Sequence, residues 1–408
     1  MRVDVDIVIV GGGAAGIGAA RRLAQAGRSA LLLEATPRLG GRAHSERIHG
    51  MQLDLGCGWL HSADRNAWVA VANGAGLIID RSAPAWGVQF RDLGFSPAEQ
   101  ADARQTFGRW MHRMSDQPPD SDCAADALEP DAPWNSWLRA IVGFISGARL
   151  ERLSIADYIA YDEASSESNW RVPMGYGALI VAGLPDSTRV RLATPVESIA
   201  LNAAGVTVGT RAGSIQARAV IFTVSTHVLT GDAIKLPAAL DPWRQAASNL
   251  PVGHNEKLFL QIHGGYFERE TQVVGDPRDP KSGAYYIRPL GLPVIESFLG
   301  GESAEVVVDE GPAAGFAFAL DQLAGLFGSD ARRWLKPLAA SSWAAMDHIG
   351  GAYSYALPGK ASARAELARP FEQRLFFAGE ATSRGDFSTA HGAHDTGVRA
   401  ADEAIASL

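Results

Sequence analysis

The beginning of the chain combines two kinds of apolar spacing. Residues 5–10 form a β-branched apolar run, and an alanine-rich segment over 14–27 follows it after a glycine turn. A second apolar run over 29–33 ends in Glu34. Because β-branched residues favour strands and alanine favours helices, this order predicts a strand, a helix and a second strand.

The periodicity changes along the rest of the chain, in which no internal repeat is visible. Helical spacing from residue 66 to 161 predicts helices over 67–75, 97–114 and 133–146. The segment 115–133 is rich in Asp, Pro and Ser, and it predicts an exposed, mobile loop. Further on, short β runs predict strands over 190–192, 196–201, 205–210, 219–224, 257–262, 285–288 and 294–299, followed by a helix centred on 319–327.

The glycine turn after the first strand has the spacing of a dinucleotide fingerprint. Gly11, Gly13 and Gly16 give Gly-x-Gly-x-x-Gly between a strand and a helix. In such a motif the first glycine makes the turn, the second admits a pyrophosphate and the third lets the helix lie close to the strand. Glu34 stands where a carboxylate accepts ribose hydroxyls, which argues against NADP because a 2′-phosphate would be repelled.

A second basic, glycine-flanked loop follows the ribose acid. Residues 38–42 read Arg-Leu-Gly-Gly-Arg. Their cationic groups would add contacts to a pyrophosphate that the helix N-terminus already holds. That arrangement suits a permanently bound FAD better than an NAD that leaves in each cycle.

With these motifs the chain resembles the flavin-dependent amine oxidase family, which includes monoamine oxidases, polyamine oxidases and flavin-type histone-lysine demethylases. The resemblance extends over the whole chain. It rests on residues 11–16, Glu34, 40–42, 54–61, Lys257, Trp343, 351–354, 377–380 and 389–393.

The resemblance implies an α/β fold in which a discontinuous Rossmann-type FAD-binding domain is joined to an α+β substrate domain with a mixed sheet and helices. The FAD-binding domain is expected over 1–65, 189–245 and 346–408. The substrate domain is expected over 66–188 and 246–345.

The family's cofactor contacts can be carried over position by position. The matching residues are Gly11, Gly13, Ala14, Ala15, Gly16, Glu34, Ala35, Arg38, Gly40, Gly41, Arg42, Gly58, Trp59, Val196, Trp343, Gly379, Glu380, Thr389 and Ala390. Glu380 matches the acid near the flavin ribityl chain, although a strand-end acid is ordinarily exposed. Ala352 replaces the cysteine of members with covalent flavin, so non-covalent FAD is expected.

Lys257 matches the family lysine that holds a water against flavin N5. A lysine at a strand edge is usually solvated, but the alternation with Phe259 and Gln261 favours an inward direction. Desolvation would lower the pKa of such a lysine. The implied role is in flavin reoxidation or imine hydrolysis.

Trp343 and Tyr353 match aromatic positions near the isoalloxazine, where simple core packing is the alternative. Monoamine oxidases enclose the amine between two tyrosines, and this chain has Thr389 in place of the second. The resemblance therefore implies a wider site for bulkier or longer amines.

Two histidines leave alternatives open. His61 lies where polyamine oxidases carry a histidine or glutamate that could orient the amine, but it also fits an ordinary turn residue. His391, at the start of the last predicted helix, is equally compatible with a place at the flavin edge and with capping or packing.

Composition sets the broad class. The 408 residues are 47% hydrophobic with a formal net charge of −8, which argues against nucleic acid and mildly favours cationic substrates. Two cysteines are too few for a disulfide framework, and no histidine spacing indicates a metal site. Without a signal peptide or a membrane-length apolar segment, we expect a cytoplasmic protein with no membrane partner.

The combined prediction is an FAD-dependent amine oxidase. It would oxidise a C–N bond to an imine that hydrolyses to an aldehyde or ketone, with O2 reduced to H2O2. The alternative is an amine or amino-acid dehydrogenase or desaturase of the same superfamily that uses another electron acceptor. A monomer and a homodimer both remain open.

Overall fold

The computed structural model describes residues 3–87, 89–203 and 205–408, so the first two residues of the predicted FAD-binding domain lie outside it. Its strands are β1 (Val5–Val10), β2 (Ala30–Leu33), β3 (Ser45–Ile48), β4 (Met51–Asp54), β5 (Arg189–Arg191), β6 (Val196–Asn202), β7 (Gly205–Thr210), β8 (Gly213–Phe222), β9 (Asn255–Ile262), β10 (Thr271–Val274), β11 (Ala284–Ile287), β12 (Val294–Gly300), β13 (Leu335–Ala340) and β14 (Leu375–Phe377).

The helices stand between and after these strands. They are α1 (Ala14–Gln25), α2 (Ala67–Gly74), α3 (Pro97–Asp116), α4 (Asn135–Ser146), α5 (Ile155–Ala164), α6 (Tyr176–Ala182), α7 (Thr226–Thr230), α8 (Asp241–Ser248), α9 (Glu305–Glu310), α10 (Pro312–Phe327), α11 (Ala331–Trp334), α12 (Ala363–Leu367) and α13 (Ala390–Ser407). None of those in the described part of the chain is long and apolar enough to cross a membrane.

A seven-stranded sheet carries the glycine turn. Its order is β5-β2-β1-β8-β7-β6, and β14 pairs with β8. The pairs around β1 are parallel, whereas β6, β7 and β8 pair antiparallel. Ile7 and Ile9 pack with α1 and α13 on one face, and Val8 and Val10 belong to the core on the other. Both faces are covered, which agrees with the uninterrupted apolar run from Ile7 to Val10 within this strand.

Close backbone contacts fix the turn between β1 and α1. Gly11 has φ +108°, a conformation that other residues rarely adopt. A Cβ on Gly16 would lie 2.0 Å from the Gly11 carbonyl oxygen, so only glycine lets α1 start this close to the strand. The predicted fingerprint therefore has the geometry for which its glycines were singled out.

A five-stranded sheet, in the order β10-β11-β12-β9-β13, forms the second layer of strands. Every recorded pair in it is antiparallel, which refines the expectation of a mixed sheet in this part of the chain. Strand β9, which lies between β12 and β13, has six consecutive buried residues, and it includes Lys257. The sheet therefore delivers a lysine to the interior.

Most predicted elements are present, and the differences have physical causes. Strands β10 and β13 and the hairpin β3–β4 were not predicted, because they are short and partly polar. The prediction of an exposed, mobile loop over 115–133 is wrong at its centre. There a short 3-10 helix, Ala124–Ala127, buries its first and last residues, and the indole of Trp110 donates to the carbonyl of Ala124 at 3.0 Å. The domain boundaries stay a prediction.

Candidate active site

One cavity of about 1330 Å³ connects the glycine turn with the face of β9 that carries Lys257. With a single exception, all residues predicted from the sequence as cofactor-binding or catalytic line it. The exception is Gly16, which packs against the turn behind the cavity. The fold thus brings together residues that are far apart in the chain. Gly11 and Thr389, for example, are separated by about 380 residues.

The nucleotide end of the cavity is built from backbone. Gly11, Gly13, Ala14 and Ala15 line it at the start of α1, and a Cβ on Gly13 would meet only the carbonyl of Gly40, at 3.7 Å. This open space beside a helix N-terminus fits a pyrophosphate. The cradle and the size of the cavity therefore fit FAD, and Gly40, Gly41, Ala35 and Val196 complete its lining.

Glu34 is buried at the end of β2. One of its carboxylate oxygens accepts the N–H of Gly12 at 2.7 Å, and the other accepts the N–H and hydroxyl of Thr36, each at 2.8 Å. These contacts fix the carboxylate at the cavity wall. The position agrees with a ribose-binding role, which stays a prediction.

The loop arginines have partners that the sequence did not indicate. Arg42 donates to Glu380 at 2.9 Å and to the carbonyl of Ala352. Arg38 donates to the carbonyl of Gly41 at 2.9 Å and lies 5.9 Å from the ring centroid of Trp343. Both guanidinium groups line the cavity, but they also hold its walls together.

Glu380 is buried within a charged network rather than exposed at a strand end. Its carboxylate accepts from the Ser354 hydroxyl at 2.7 Å and from the Ser388 N–H at 3.0 Å. Arg364 donates to the same hydroxyl and forms a fully buried ion pair with Asp157. The neighbouring arginines keep the pKa of Glu380 below its usual value, although burial alone would raise it.

Lys257 is only 8% exposed, so the inward direction predicted from the strand alternation is present. Its ammonium donates to the carbonyl of Asp54 at 3.1 Å and pairs with Glu296 at 2.8 Å. A Cβ on Gly58 would lie 3.2 Å from Nζ, so this glycine leaves room for the ammonium. Burial lowers the pKa of Lys257, as expected, but the ion pair with Glu296 and the nearby Asp54 and Cys57 raise it above its usual value.

Trp343 is buried and is fixed through its backbone. Glu256, 1% exposed, accepts the N–H of Trp343 at 2.7 Å and bonds the hydroxyl of Ser341. The same hydroxyl accepts the N–H of Lys257 at 2.8 Å. The tryptophan and the lysine are therefore joined through adjacent residues of β9.

Tyr353 and Thr389 both line the cavity, as predicted. The Tyr353 hydroxyl donates to the carbonyl of Phe144 in α4, and burial raises its pKa well above the ordinary value. The Thr389 hydroxyl caps α13 by accepting the N–H of Gly392 at 3.0 Å. Ala390 follows it at the cavity wall, so the start of α13 faces the cavity.

His61 belongs to a turn and also lines the cavity, so its orienting role towards an amine stays a prediction. Its Nδ1 lies 2.7 Å from Oδ1 of Asn169, whose amide nitrogen donates to the carbonyl of Glu167. With this amide orientation Nδ1 carries the proton and Nε2 keeps its lone pair. Burial lowers the pKa of His61 to about 4, so the ring is neutral at physiological pH.

His391 is 2% exposed and lies outside the residues that line the cavity. Its Nε2 is 3.1 Å from the carboxylate of Asp386, which also pairs with Arg65. The packing alternative therefore describes this histidine.

Several cavity residues gave no signal in the sequence. Besides Glu296, they are the aromatic residues Trp86, Phe144, Tyr286 and Phe298. Predicted Trp59 contacts two of these, with ring centroids 4.6 Å from Trp86 and 6.2 Å from Tyr286. Isolated aromatic residues are common in cores, so only the folded chain reveals that these share one wall.

Comparison with known proteins identifies the family. The model of flavin-containing amine oxidoreductases matches residues 82–405, and that of an NAD(P)-binding Rossmann-like domain matches residues 9–73. The chain belongs to the flavin-containing amine oxidoreductase family. It is therefore an FAD-dependent oxidoreductase that acts on amines, as the sequence predicted.

Individual relatives agree with this assignment. The chain is 27% identical to polyamine oxidase 4 of Oryza sativa subsp. japonica, over 98% of this chain and 88% of the relative. It is 26% identical to pseudooxynicotine dehydrogenase of Pseudomonas sp, over 64% of this chain and 59% of that protein. A redesigned double mutant of putrescine oxidase has the same fold, with a TM-score of 0.77, 18% identity and 99% coverage of both chains.

Within residues 3–87, 89–203 and 205–408, no group of three or more His, Cys, Asp or Glu side chains could hold a metal ion.

Proposed function

We propose that this protein is an amine oxidase that transfers two electrons from an amine C–N bond to O2. When bound, FAD supplies the two-electron acceptor between them. The substrate loses a hydride equivalent from its α-carbon, and water converts the resulting iminium to an aldehyde or ketone and a free amine. The two electrons, with two protons, reduce O2 to H2O2.

A neutral, oriented His61 on the wall that also carries Lys257 is the observation that best supports this proposal. Hydride loss requires an uncharged amine, because the nitrogen lone pair stabilises the developing iminium. The Nε2 lone pair can accept an N–H of that neutral amine without adding positive charge. A protonated histidine at the same place would repel the developing cation.

The cavity favours an amine with a bulky or extended body. Aromatic side chains line it, and Thr389, which also lines it, stands where the family's monoamine oxidases have a second tyrosine. Exposed Asp162 and Glu167 also line the cavity, where they favour a cationic approach. We therefore infer a preference for extended primary or secondary amines over benzylamine.

Peroxide release provides the test. The flavin-loaded protein would be incubated in air with benzylamine, longer arylalkylamines, diamines and polyamines, and H2O2 would be measured for each. Peroxide in proportion to imine-derived aldehyde or ketone supports the proposal. Absence of flavin reduction by every amine would refute it, and a best rate with benzylamine would refute the inferred cavity preference.

A second candidate is an amine dehydrogenase that passes electrons to another acceptor. The similarity to a relative whose name is pseudooxynicotine dehydrogenase favours it. Under this alternative an amine reduces the flavin normally, air reoxidises it slowly, and a soluble redox dye restores rapid turnover. Comparing the rates of reoxidation by O2 and by the dye separates the two functions.

A further inference from the structure

Lys257 and Glu296 face each other across two neighbouring strands. In the antiparallel register of β9 and β12, Lys257 is opposite Phe298 and Phe259 is opposite Glu296. Lys257 and Glu296 are therefore diagonal neighbours on the same face of the sheet, within reach of long side chains. Nζ of the lysine lies 2.8 Å from Oε1 of the glutamate.

The environment of this pair is enclosed. The side chains are 10% exposed for Lys257 and 18% for Glu296, and both line the cavity. Lys257 also donates to the carbonyl of Asp54. Among the described residues, Lys257 is the only recorded polar partner of the Glu296 carboxylate.

We propose that Glu296 is a positioning residue that keeps Lys257 charged and directed into the cavity, so that the ammonium can assist the return of electrons to O2. This inference rests on the proposed oxidase function. The ammonium has three donors, and two are used by Glu296 and the Asp54 carbonyl. The carboxylate and the carbonyl fix the direction of the third.

The electrostatic reason is the cost of burying an unpaired ammonium. Burial alone lowers the pKa of Lys257, whereas Glu296, the Asp54 carboxyl and the Cys57 thiol raise it above its ordinary 10.5. His61, a further titratable group near this lysine, has a pKa of about 4 because of burial, so it is neutral at physiological pH and adds no opposing charge. Burial also raises the pKa of the Asp54 carboxyl. Glu296 is thus the main source of compensating negative charge.

Glu296→Gln isolates this effect, because glutamine keeps the size and an acceptor oxygen but removes the charge. The pKa of Lys257 should then fall, since burial is no longer offset; fully buried lysines can titrate about 3–5 units below normal. In stopped-flow measurements, reoxidation of the flavin-loaded variant by O2 should slow at least about tenfold between pH 6.5 and 9.5, as about one pKa unit of deprotonation implies. The parent protein should show no such decline.

Two further measurements test whether the slower reoxidation arises from the loss of charge on Lys257. Lys257→Met should reoxidise slowly at every pH, because it has no charge to lose. Anaerobic flavin reduction by an amine should change by less than about threefold in Glu296→Gln, since such a change is within the range of small local rearrangements. An equal loss in both half-reactions would overturn the positioning role.

Unfolding of the flavin-loaded protein gives a readout independent of turnover. In the parent the raised pKa of Lys257 contributes stability that is present below the unfolded-state pKa and lost only above the folded-state pKa, so no change arises from it between pH 7 and 9.5. In Glu296→Gln the lysine pKa is depressed, so the ammonium destabilises most at pH 7. The free energy of unfolding of Glu296→Gln should therefore lie below that of the Lys257→Met/Glu296→Gln double variant at pH 7. This difference should shrink towards pH 9.5.

Asp157→Asn is the matched control. It also removes the acid of a buried pair, but Arg364 remains charged throughout this range. The loss of unfolding free energy in Asp157→Asn should therefore not change with pH. A Glu296→Gln deficit that is equally independent of pH would overturn the inference. If no amine reduces the flavin of the parent protein, the proposed oxidase function fails, and the unfolding comparison still decides whether Glu296 keeps Lys257 charged.

Discussion

The neutral state of His61 has a measurable consequence for the pH dependence of turnover. With a pKa of about 4, roughly one ring in a thousand is charged at pH 7, whereas an ordinary histidine would be charged in about a quarter of molecules. We therefore expect kcat/KM between pH 6 and 10 to follow deprotonation of the substrate ammonium alone. Its midpoint should move when an amine of different pKa is used.

The size of the His61 contribution follows from the lost contact. In His61→Ala the substrate N–H would lose its acceptor inside the cavity, which costs about 1–3 kcal/mol for a buried donor. That corresponds to a fall of roughly 5- to 150-fold in kcat/KM. Because the histidine does not titrate in this range, the shape of the pH profile should stay the same while its height falls.

Asn169→Asp offers a complementary perturbation. A carboxylate beside Nδ1 would favour the charged ring and raise the pKa of His61 towards neutrality. The variant should therefore lose kcat/KM at pH 6 to 7 and recover as the ring deprotonates at higher pH. A parent profile with a limb near pH 6.5 that is the same for all amines and disappears in His61→Ala would refute the reasoning.

Three further outcomes are expected. Acid or heat should release intact FAD, because Ala352 has no sulfur for a thioether, and absorbance of the supernatant checks this. Gly16→Ala should give colourless protein, because its Cβ would lie 2.0 Å from a backbone oxygen of the turn, whereas Gly108→Ala, with nothing within 4 Å, should stay yellow. Asp157→Asn should lower the free energy of unfolding by about 3–5 kcal/mol in urea titrations, because Arg364 stays buried without its carboxylate.

Each of these has a contrary result. Flavin that precipitates with the polypeptide would contradict non-covalent binding. A yellow Gly16→Ala protein would mean that α1 can shift away from the turn. A loss below about 1 kcal/mol in Asp157→Asn would place its ion pair among exposed pairs, which contribute little.

The nucleotide-binding half of the site was readable from the sequence because its requirements are local. The backbone geometry of a single strand–turn–helix unit requires Gly11 and Gly16, so their spacing in the sequence predicts that geometry. The same locality allowed Thr389 to be placed at the start of the last helix. Family resemblance then added Lys257 and Glu380, whose spacing alone carries no such information.

The walls of the substrate cavity could not be read in the same way, because they depend on strand order and register. Strand β9 pairs with β12 although β10 and β11 lie between them in the chain. The sequence around Lys257 therefore does not indicate its contact with Glu296. Desolvation could be inferred from the strand pattern, whereas the opposing charge required the fold.

The charged groups around the cavity are arranged differently from His61. The buried charges around the cavity are paired in sets, Lys257 with Glu296 and Glu380 with Arg42, so each ion is offset nearby. His61 instead is kept uncharged by burial, which outweighs the opposite effect of its bond to Asn169 on the pKa. Under the proposed function, a substrate nitrogen that becomes positive during oxidation would meet a neutral acceptor rather than an unpaired cation. The cavity would then lower the barrier to iminium formation without a charged base at the reacting carbon.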